Sequence, residues 1–339
     1  MSDQSTTIDY ARLDALPELA AQADSLIEEA FAYQKNFKFS VDFAPLTSPR
    51  NHHNRHVLVD TASQRVLAHV GLSPRNFVWD GEVIPVALLG GIAVAPGLRG
   101  QGLFQLLFER VLAQAQSQCA FFLLWSDKHE LYEKWDFHLA GKQWCYRAAP
   151  AKESLAPATK LEALPRDERE RLAAIYRTSI NRRYFSPLRD ETDWDELCRI
   201  TSADLHLFKE GYAFRNKGMD LTDVFHDLAH AEGIEALLPA LYGHGQIWAP
   251  ENLPVADDIY VDLQQVGLWK PNHHPMALRK LSHLLGLEVN FRDGRFCVDR
   301  DGLLIKLRAE ELLAELFNYG NHGLRKEAIP IYIGGLDSI

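Results

Sequence analysis

Cysteine is scarce in this sequence: four residues in 339, at positions 119, 145, 198 and 297, with no C-x-x-C pair. That spacing argues against a disulfide framework and a zinc knuckle, and for a reducing, cytoplasmic setting. Long apolar runs are also missing. No stretch reaches the ~18 apolar residues a spanning helix needs, so no membrane segment is expected. Positive charge is in deficit: 36 Lys and Arg stand against 46 Asp and Glu, a formal net charge of −10. Both halves are acidic, so neither carries the basic footprint of a nucleic-acid binder. Residues 1–6 have no basic stretch and no apolar core, and no signal peptide is expected there.

What is present is a globular composition, 47% hydrophobic and 24% charged, which excludes disorder, collagen and coiled coil for the chain as a whole. At ~150 residues per domain the length predicts two domains. The most linker-like stretch is 149–160, rich in Ala, Pro, Ser and Lys, which predicts one domain over 1–150 and another over 151–339. In the first half, helical spacing over Leu13–Tyr33 is followed by a polar loop and then by strand texture from Arg55 to Val94. Asp80-Gly81 marks a hairpin turn within it. A helix over 103–116, a buried-type strand over 120–125 and a short helix over 129–135 follow. The second half repeats part of this texture, including a hairpin at Glu210-Gly211, which suggests an internal duplication by order alone.

The sharpest local signal is Val94-Ala95-Pro96-Gly97-Leu98-Arg99-Gly100-Gln101-Gly102-Leu103-Phe104, between an apolar strand and a helix. Glycines there let the backbone approach closely, and the free N–H groups of a helix start point at an anion. Arg99 adds positive charge. The dinucleotide spacing G-x-G-x-x-G is absent, and no Gly-Lys-Ser/Thr follows. A glycine turn that binds nothing is the alternative.

With a second motif the region resembles the GNAT superfamily of acyl-CoA-dependent N-acyltransferases. Arg99 and Gly102 match its R/Q-x-x-G-x-G/A pattern, with Phe104 in place of the last small residue. Tyr132-Glu133-Lys134-Trp135-Asp136-Phe137 matches its Y-x-K-x-G-F helix, with Asp136 in place of Gly. The resemblance covers about residues 5–150 and extends further only as a likeness to two-lobed members. It implies an α/β fold: a mixed, splayed sheet flanked by helices, then a second, GNAT-like α/β domain, degenerate and shaping the acceptor site.

The resemblance further implies acetyl-CoA as co-substrate. The backbone of Ile92, Ala93 and Val94 would pair with its pantetheine arm. The N–H groups of Gly100, Gln101, Gly102, Leu103, Phe104 and Gln105 would hold its diphosphate, with Arg99 beside them. Ser126 and Asp127 match positions that touch the cofactor, although Asp127 also reads as a helix cap. Tyr132 stands at the general-acid position, and transfer would be by direct attack in a ternary complex.

An amine of pKa ~10.4 is free base in only about one molecule in 2,500 at pH 7, so a proton acceptor matters. Many relatives carry a Glu on the strand before the cradle. Here Ala87–Val94 holds no titratable group. In some two-lobed relatives the terminal carboxylate serves, which points to Ile339, with Asp337 as its neighbour. A C-terminal strand that only completes a sheet is the alternative.

No metal is implied: His52, His53 and His56 have metal-like spacing but sit in a polar loop without Cys. His226 and Asp227 read either as an acceptor surface or as a satisfied core. Asn272-His273-His274-Pro275 reads as a turn. The expected acceptor is a primary amine of a small molecule or peptide. The acidic balance leans toward a cationic one. A non-catalytic CoA-binding or ligand-sensing protein is the rival from another class, and transfer of longer acyl groups the rival among enzymes.

Overall fold

A computed structural model describes residues 7–147, 154–251, 253 and 260–339. The chain begins with β1 (Ile8–Arg12), α1 (Ala20–Ala30), α2 (Phe39–Asp42) and α3 (Ala44–Thr47). Three strands then meander antiparallel: β2 (Arg55–Asp60), β3 (Arg65–Trp79) and β4 (Glu82–Val94). The β3–β4 turn is Asp80-Gly81, both at positive φ (49° and 75°), the backbone a two-residue hairpin needs. α4 (Leu103–Ala115) crosses to β5 (Phe121–Leu124), which returns parallel to β4. α5 (His129–Glu133) and β6 (His138–Arg147) complete this stretch.

Next come α6 (Arg166–Ser179), β7 (Ser186–Pro187) and α7 (Glu191–Leu197), followed by β8 (Asp204–Phe208), β9 (Gly211–Arg215) and β10 (Val224–His230). α8 (Leu238–Leu241), β11 (Gln246–Pro250) and β12 (Tyr260–Pro271) follow. The last stretch holds α9 (Pro275–Leu285), β13 (Val289–Arg292), β14 (Arg295–Arg300), β15 (Leu303–Leu307) and α10 (Ala309–Phe317). β13–β15 form a separate antiparallel sheet. All other strands join one sheet in the order β1-β2-β3-β4-β5-β12-β6-β11-β10-β9-β8, with β7 on β3.

One strand crosses the expected division at residue 150. β12 lies between β5 and β6, pairing Leu268 with Leu124 and Trp269 with His138, so the first part of the sheet is closed by a strand from beyond residue 259. Residues 148–153 of the expected linker lie outside the described residues. Thr159 is already bridged to Leu205, and Lys160 reaches Asp204 at 2.8 Å. The end of this Pro- and Ala-rich stretch is thus held to the second lobe at Thr159 and Lys160.

The second lobe repeats the strand plan of the first. β8, β9 and β10 are antiparallel, β10 runs parallel to β11, and β10 carries one extra residue at His226. In the first lobe β2, β3 and β4 are antiparallel, β4 runs parallel to β5, and β4 carries its extra residue near Gly91.

Apolar layers cover both faces. α4 packs Leu107, Phe108 and Val111 on Val70, Leu89 and Phe122. On the opposite face α1 packs Ala23 and Ile27 on Val57 and Val59, while α9 and α10 cover Val86, Leu88, Phe121 and Trp269. The second lobe has its own core, with Leu172 and Tyr176 of α6 against Leu205, Tyr212 and Phe225.

Candidate active site

β4 and β5 are hydrogen-bonded only from Val86/Phe121 to Leu89/Leu124. Past that point β4 runs on alone as Gly90–Val94, and the two strands part. The extra residue in β4 lies where its pairing with β3 shifts between Ala93 and Gly90. A Cβ on Gly90 would meet Ile339, and one on Gly91 would meet Ile27 and His69, so two successive residues face the α1 side. Gly91 has φ +58°, a conformation that favours glycine. Of the expected pantetheine-binding residues, Ile92 and Val94 lean on the α4 layer and Ala93 is buried under α1. Their backbone edge facing β5 lies beyond the paired segment.

β4 ends at Val94, and the N–H of Ala95 just after it donates to the Leu67 carbonyl at 2.9 Å. A turn of 3-10 helix, Pro96–Leu98, leads to Gly100 and Gly102, at φ +78° and +81°. A Cβ at either would meet nothing within 4 Å, so the requirement for glycine is one of backbone conformation, not of space. Gly102 is the N-cap of α4, and the Leu106 N–H to Gly102 carbonyl bond (3.0 Å) closes its first turn. The N–H groups of Leu103, Phe104 and Gln105 therefore have no acceptor within the helix, and Gly100, Gln101 and Gly102 before them are exposed. Arg99 is exposed at their edge, its Nε 3.5 Å from the Val94 carbonyl. The arrangement fits a diphosphate.

Phe104 turns inward. It lies 5.1 Å from Phe108, 5.3 Å from Trp135 and 5.9 Å from Tyr132, centroid to centroid. Its bulk fills the core behind the cradle. Tyr132 is buried in the same aromatic layer, and burial pushes its phenol up to about 12 against a hydrogen bond with Ser126. Ser126 Oγ also accepts from the Lys128 N–H at 3.0 Å. Asp127 caps no helix, since the residue before α5 is Lys128. Asp136, which stands in place of the motif's Gly, takes a left-handed conformation at φ +61°.

The C-terminal segment crosses from the second lobe to this site. Ile331 bridges Phe185, and the Gly335 N–H donates to the His226 carbonyl at 2.8 Å. That places the segment against the extra residue of β10. Asp337 is buried and accepts from Arg189 Nε at 2.9 Å and Nη2 at 2.7 Å, with Arg75 Nη2 at 3.4 Å. Arg189 also pairs with Asp227, and Arg75 with Asp193. Burial works against the Arg189 charge, but Asp227 and Asp337 outweigh it and hold its pKa well above the ordinary value. Buried Lys217 donates to the carbonyls of Gly335 (2.7 Å) and Ser338 (2.6 Å). Ile339 follows, its main-chain carbon 3.0 Å from where a Cβ on Gly90 would stand.

The family model described as an acetyltransferase (GNAT) domain matches residues 17–140. Over those residues the sequence is similar to that family. No curated protein matches the sequence. Among solved structures, Eis1 from Mycobacterium abscessus is 14% identical, with TM-score 0.60 over 96% of this chain and 94% of that one. A GCN5-related N-acetyltransferase from Kribbella flavida is 15% identical, with TM-score 0.59 over 91% and 86%. One from Anabaena variabilis is 13% identical, with TM-score 0.57 over 91% and 89%. At these identities the likeness shows a shared fold, here over nearly the whole chain: a GNAT-type mixed sheet followed by a second, GNAT-like lobe.

Around the GNAT splay, Tyr132 belongs to the α4 layer and Ile339 packs on the opposite face, so the two stand on either side of the opening. The histidine triplet does not converge. His56 is buried against Tyr10, Nδ1 to hydroxyl 2.8 Å, while His53 lies beside Asn54. Among the described residues no group of three or more His, Cys, Asp or Glu is placed to hold a metal ion. His226 and Asp227 are both interior; His226 Nε2 donates to the Asn216 carbonyl at 2.9 Å. His274 caps α9, and His273 stacks on Phe291. No helix among the described residues is long and apolar enough to cross a membrane.

Residues missed from the sequence are Arg75, Arg189, Asp193 and Lys217, which lock the C-terminal segment, and Arg55 and His69 beneath the Gly91 bulge. The last pair left a faint signal, as charged or polar groups in otherwise apolar strands. The others left none, because the partners through which they hold the C-terminal segment lie more than a hundred residues away.

Proposed function

We propose that this chain transfers an acetyl group from acetyl-CoA to a primary amine of a small molecule or peptide, by direct attack in a ternary complex. The observation that carries this reading is the parting of β4 from β5 beyond Leu89/Leu124, with the Gly100–Gly102 cradle at one end and Tyr132 against it. Pantetheine would lie along Ile92, Ala93 and Val94 as an added strand. The diphosphate would take the N–H groups from Gly100 to Gln105, helped by Arg99. Charge-assisted contacts of that kind are worth about 1.5–3 kcal/mol each.

The bulge N–H groups would polarise the thioester carbonyl as charge develops on its oxygen. The amine would attack that carbon, and Tyr132 would give its proton to the departing thiolate. The phenol, pushed up to about 12 by burial, is protonated at physiological pH and so has a proton to give. For the proton leaving the amine, we retain Ile339 as the proposed acceptor through its carboxylate. Asp337, the alternative, is already held by two guanidinium groups. Ser126 would orient Tyr132 and border the cofactor; Asp127 would lie at that border.

Calorimetric titration with acetyl-CoA, beside Arg99→Ala and Gly102→Trp variants, tests the cradle. Micromolar binding that is lost in both is the expected result. No binding up to millimolar concentration would remove acetyl-CoA as donor. Binding without turnover on any amine would favour a CoA-sensing protein.

A further inference from the structure

Beneath the bulge in β4 runs a chain of hydrogen bonds. Asp24 of α1 accepts from Arg55 Nη2 at 2.6 Å. Arg55, at the start of β2, donates through Nε to His69 Nε2 at 3.1 Å. His69, on β3, faces the Gly91 carbonyl through Nδ1 at 2.7 Å. Arg55 and His69 are both fully buried, and only Asp24 reaches solvent.

The donor and acceptor roles follow from the partners. A guanidinium has only N–H groups, so His69 Nε2 must accept. A carbonyl can only accept, so Nδ1 carries the proton. His69 is therefore neutral and in one tautomer, and both of its nitrogens are used. Burial and the Arg55 charge also lower its pKa well below the ordinary value, consistent with that state.

The chain ends on one particular peptide unit. A trans peptide is planar, with its C=O and N–H pointing in opposite directions. When His69 fixes the Gly91 carbonyl on the α1 side, the N–H of Ile92 is aimed away from it. At a bulge this orientation is not dictated by the ladder, because the extra residue is left unpaired there. Gly91, at φ +58° and without a side chain, has no rotational restraint of its own.

The arrangement is also poorly optimised for stability alone. Arg55 Nη1 is buried without a hydrogen-bond partner. An apolar side chain would fill that space without leaving a donor unmet.

We propose that Asp24, Arg55 and His69 are positioning residues that set the direction of the Ile92 N–H toward the acyl thioester carbonyl. This rests on the acyl-transfer reading above. None of the three touches the reacting atoms; they act through the Gly91–Ile92 peptide.

The test compares wild type with His69→Ala, His69→Gln and Asp24→Asn. Readouts are acetyl-CoA affinity, kcat, KM, thermal unfolding and hydrogen exchange at the Ile92 amide in the free protein. The expected result for His69→Ala is a kcat lowered ~30-fold or more, with acetyl-CoA affinity within ~3-fold of wild type. The Ile92 amide should exchange differently in that variant. Glutamine, which can donate to a carbonyl, should recover part of the loss. Asp24→Asn, at the solvent end, should give a smaller loss while remaining folded.

An unchanged kcat in folded His69→Ala, with wild type active, would overturn the proposal. So would a loss fully explained by a lower unfolding temperature. A wild-type protein with neither binding nor turnover would instead sink the acyl-transfer reading and, with it, the thioester role. In that case an altered Ile92 exchange in His69→Ala would still show the peptide to be held by the relay.

Discussion

Ile339 sits where a side chain on Gly90 would be: its main-chain carbon and its Cγ1 are each 3.0 Å from that Cβ position. The last residue of the sequence and the middle of β4 thus share one small volume. Gly90 is not in the left-handed region, so alanine fits its backbone. Gly90→Ala must push Ile339 aside. We expect a stability loss of about 1–3 kcal/mol from overpacking and a fall in turnover of at least ~10-fold if the amine proton passes to that end. Denaturant unfolding and steady-state kinetics check both; normal turnover with a displaced segment would remove Ile339 from the mechanism.

Tyr132→Phe removes one hydroxyl and leaves the ring among Phe104, Phe108 and Phe137. Turnover should fall ~10²-fold or more, the usual scale for a lost proton donor. Acetyl-CoA affinity and thermal stability should hardly move. Because burial pushes the phenol up to about 12, the wild-type pH–rate profile should show no alkaline limb from Tyr132 in the neutral range. Full activity of Tyr132→Phe would assign the tyrosine to packing.

Lys217 gives the protein a pH-dependent stability. Burial lowers its pKa from 10.5 to about 7, against the pull of Asp337, Asp42, Asp220 and Asp227. Between those values the unfolded chain binds a proton that the folded chain does not. Stability therefore rises with pH from about 7 toward about 10.5, and the penalty of the buried charge is fully present below about 7. Lys217→Met should flatten this slope, whatever it costs in lost bonds to Gly335 and Ser338. Urea midpoints at about pH 6.5 and pH 9.5 for both proteins measure it; parallel slopes would show that Lys217 stays charged.

Asp136 occupies a left-handed turn at φ +61° without being glycine. Its compensation is an ion pair with Lys270 at 3.8 Å, with the Asp136 side chain 70% exposed. Such exposed pairs contribute about 0–1 kcal/mol, against about 1 kcal/mol for the strained backbone. Asp136→Gly should be neutral to stabilising in a thermal melt, by no more than about 1 kcal/mol. A clear loss would mean that the Lys270 contact outweighs the turn.

The cradle and its helix were legible in the sequence because their signals are local. Gly100 and Gly102 announce positive φ, Leu107, Phe108 and Val111 announce the buried face of α4, and Tyr132 stands within a six-residue motif. The hairpin at Asp80-Gly81 was legible for the same reason, while the β8–β9 hairpin turns one residue earlier than expected, at Lys209-Glu210, with Gly211 already in β9 opposite Phe208. β12 was not. Its alternation is broken by Gln264-Gln265 and Gly267, and its partners β5 and β6 are far away in the chain. The histidine triplet misled in the other direction, since close spacing along a loop says nothing about which way each ring turns.

By itself the sequence determined the short-range conformations: where the backbone must turn left-handed, where an apolar stripe makes a helix, and which motifs stand in order. These depend on φ preference and on side-chain spacing within one element. Only the tertiary structure decided that β12 closes the first part of the sheet. Only it brought Asp337 between Arg75 and Arg189, and Ile339 onto Gly90. Each of these is a contact between groups more than a hundred residues apart, chosen by the burial of charge and the pairing of strand edges, and no local pattern encodes either.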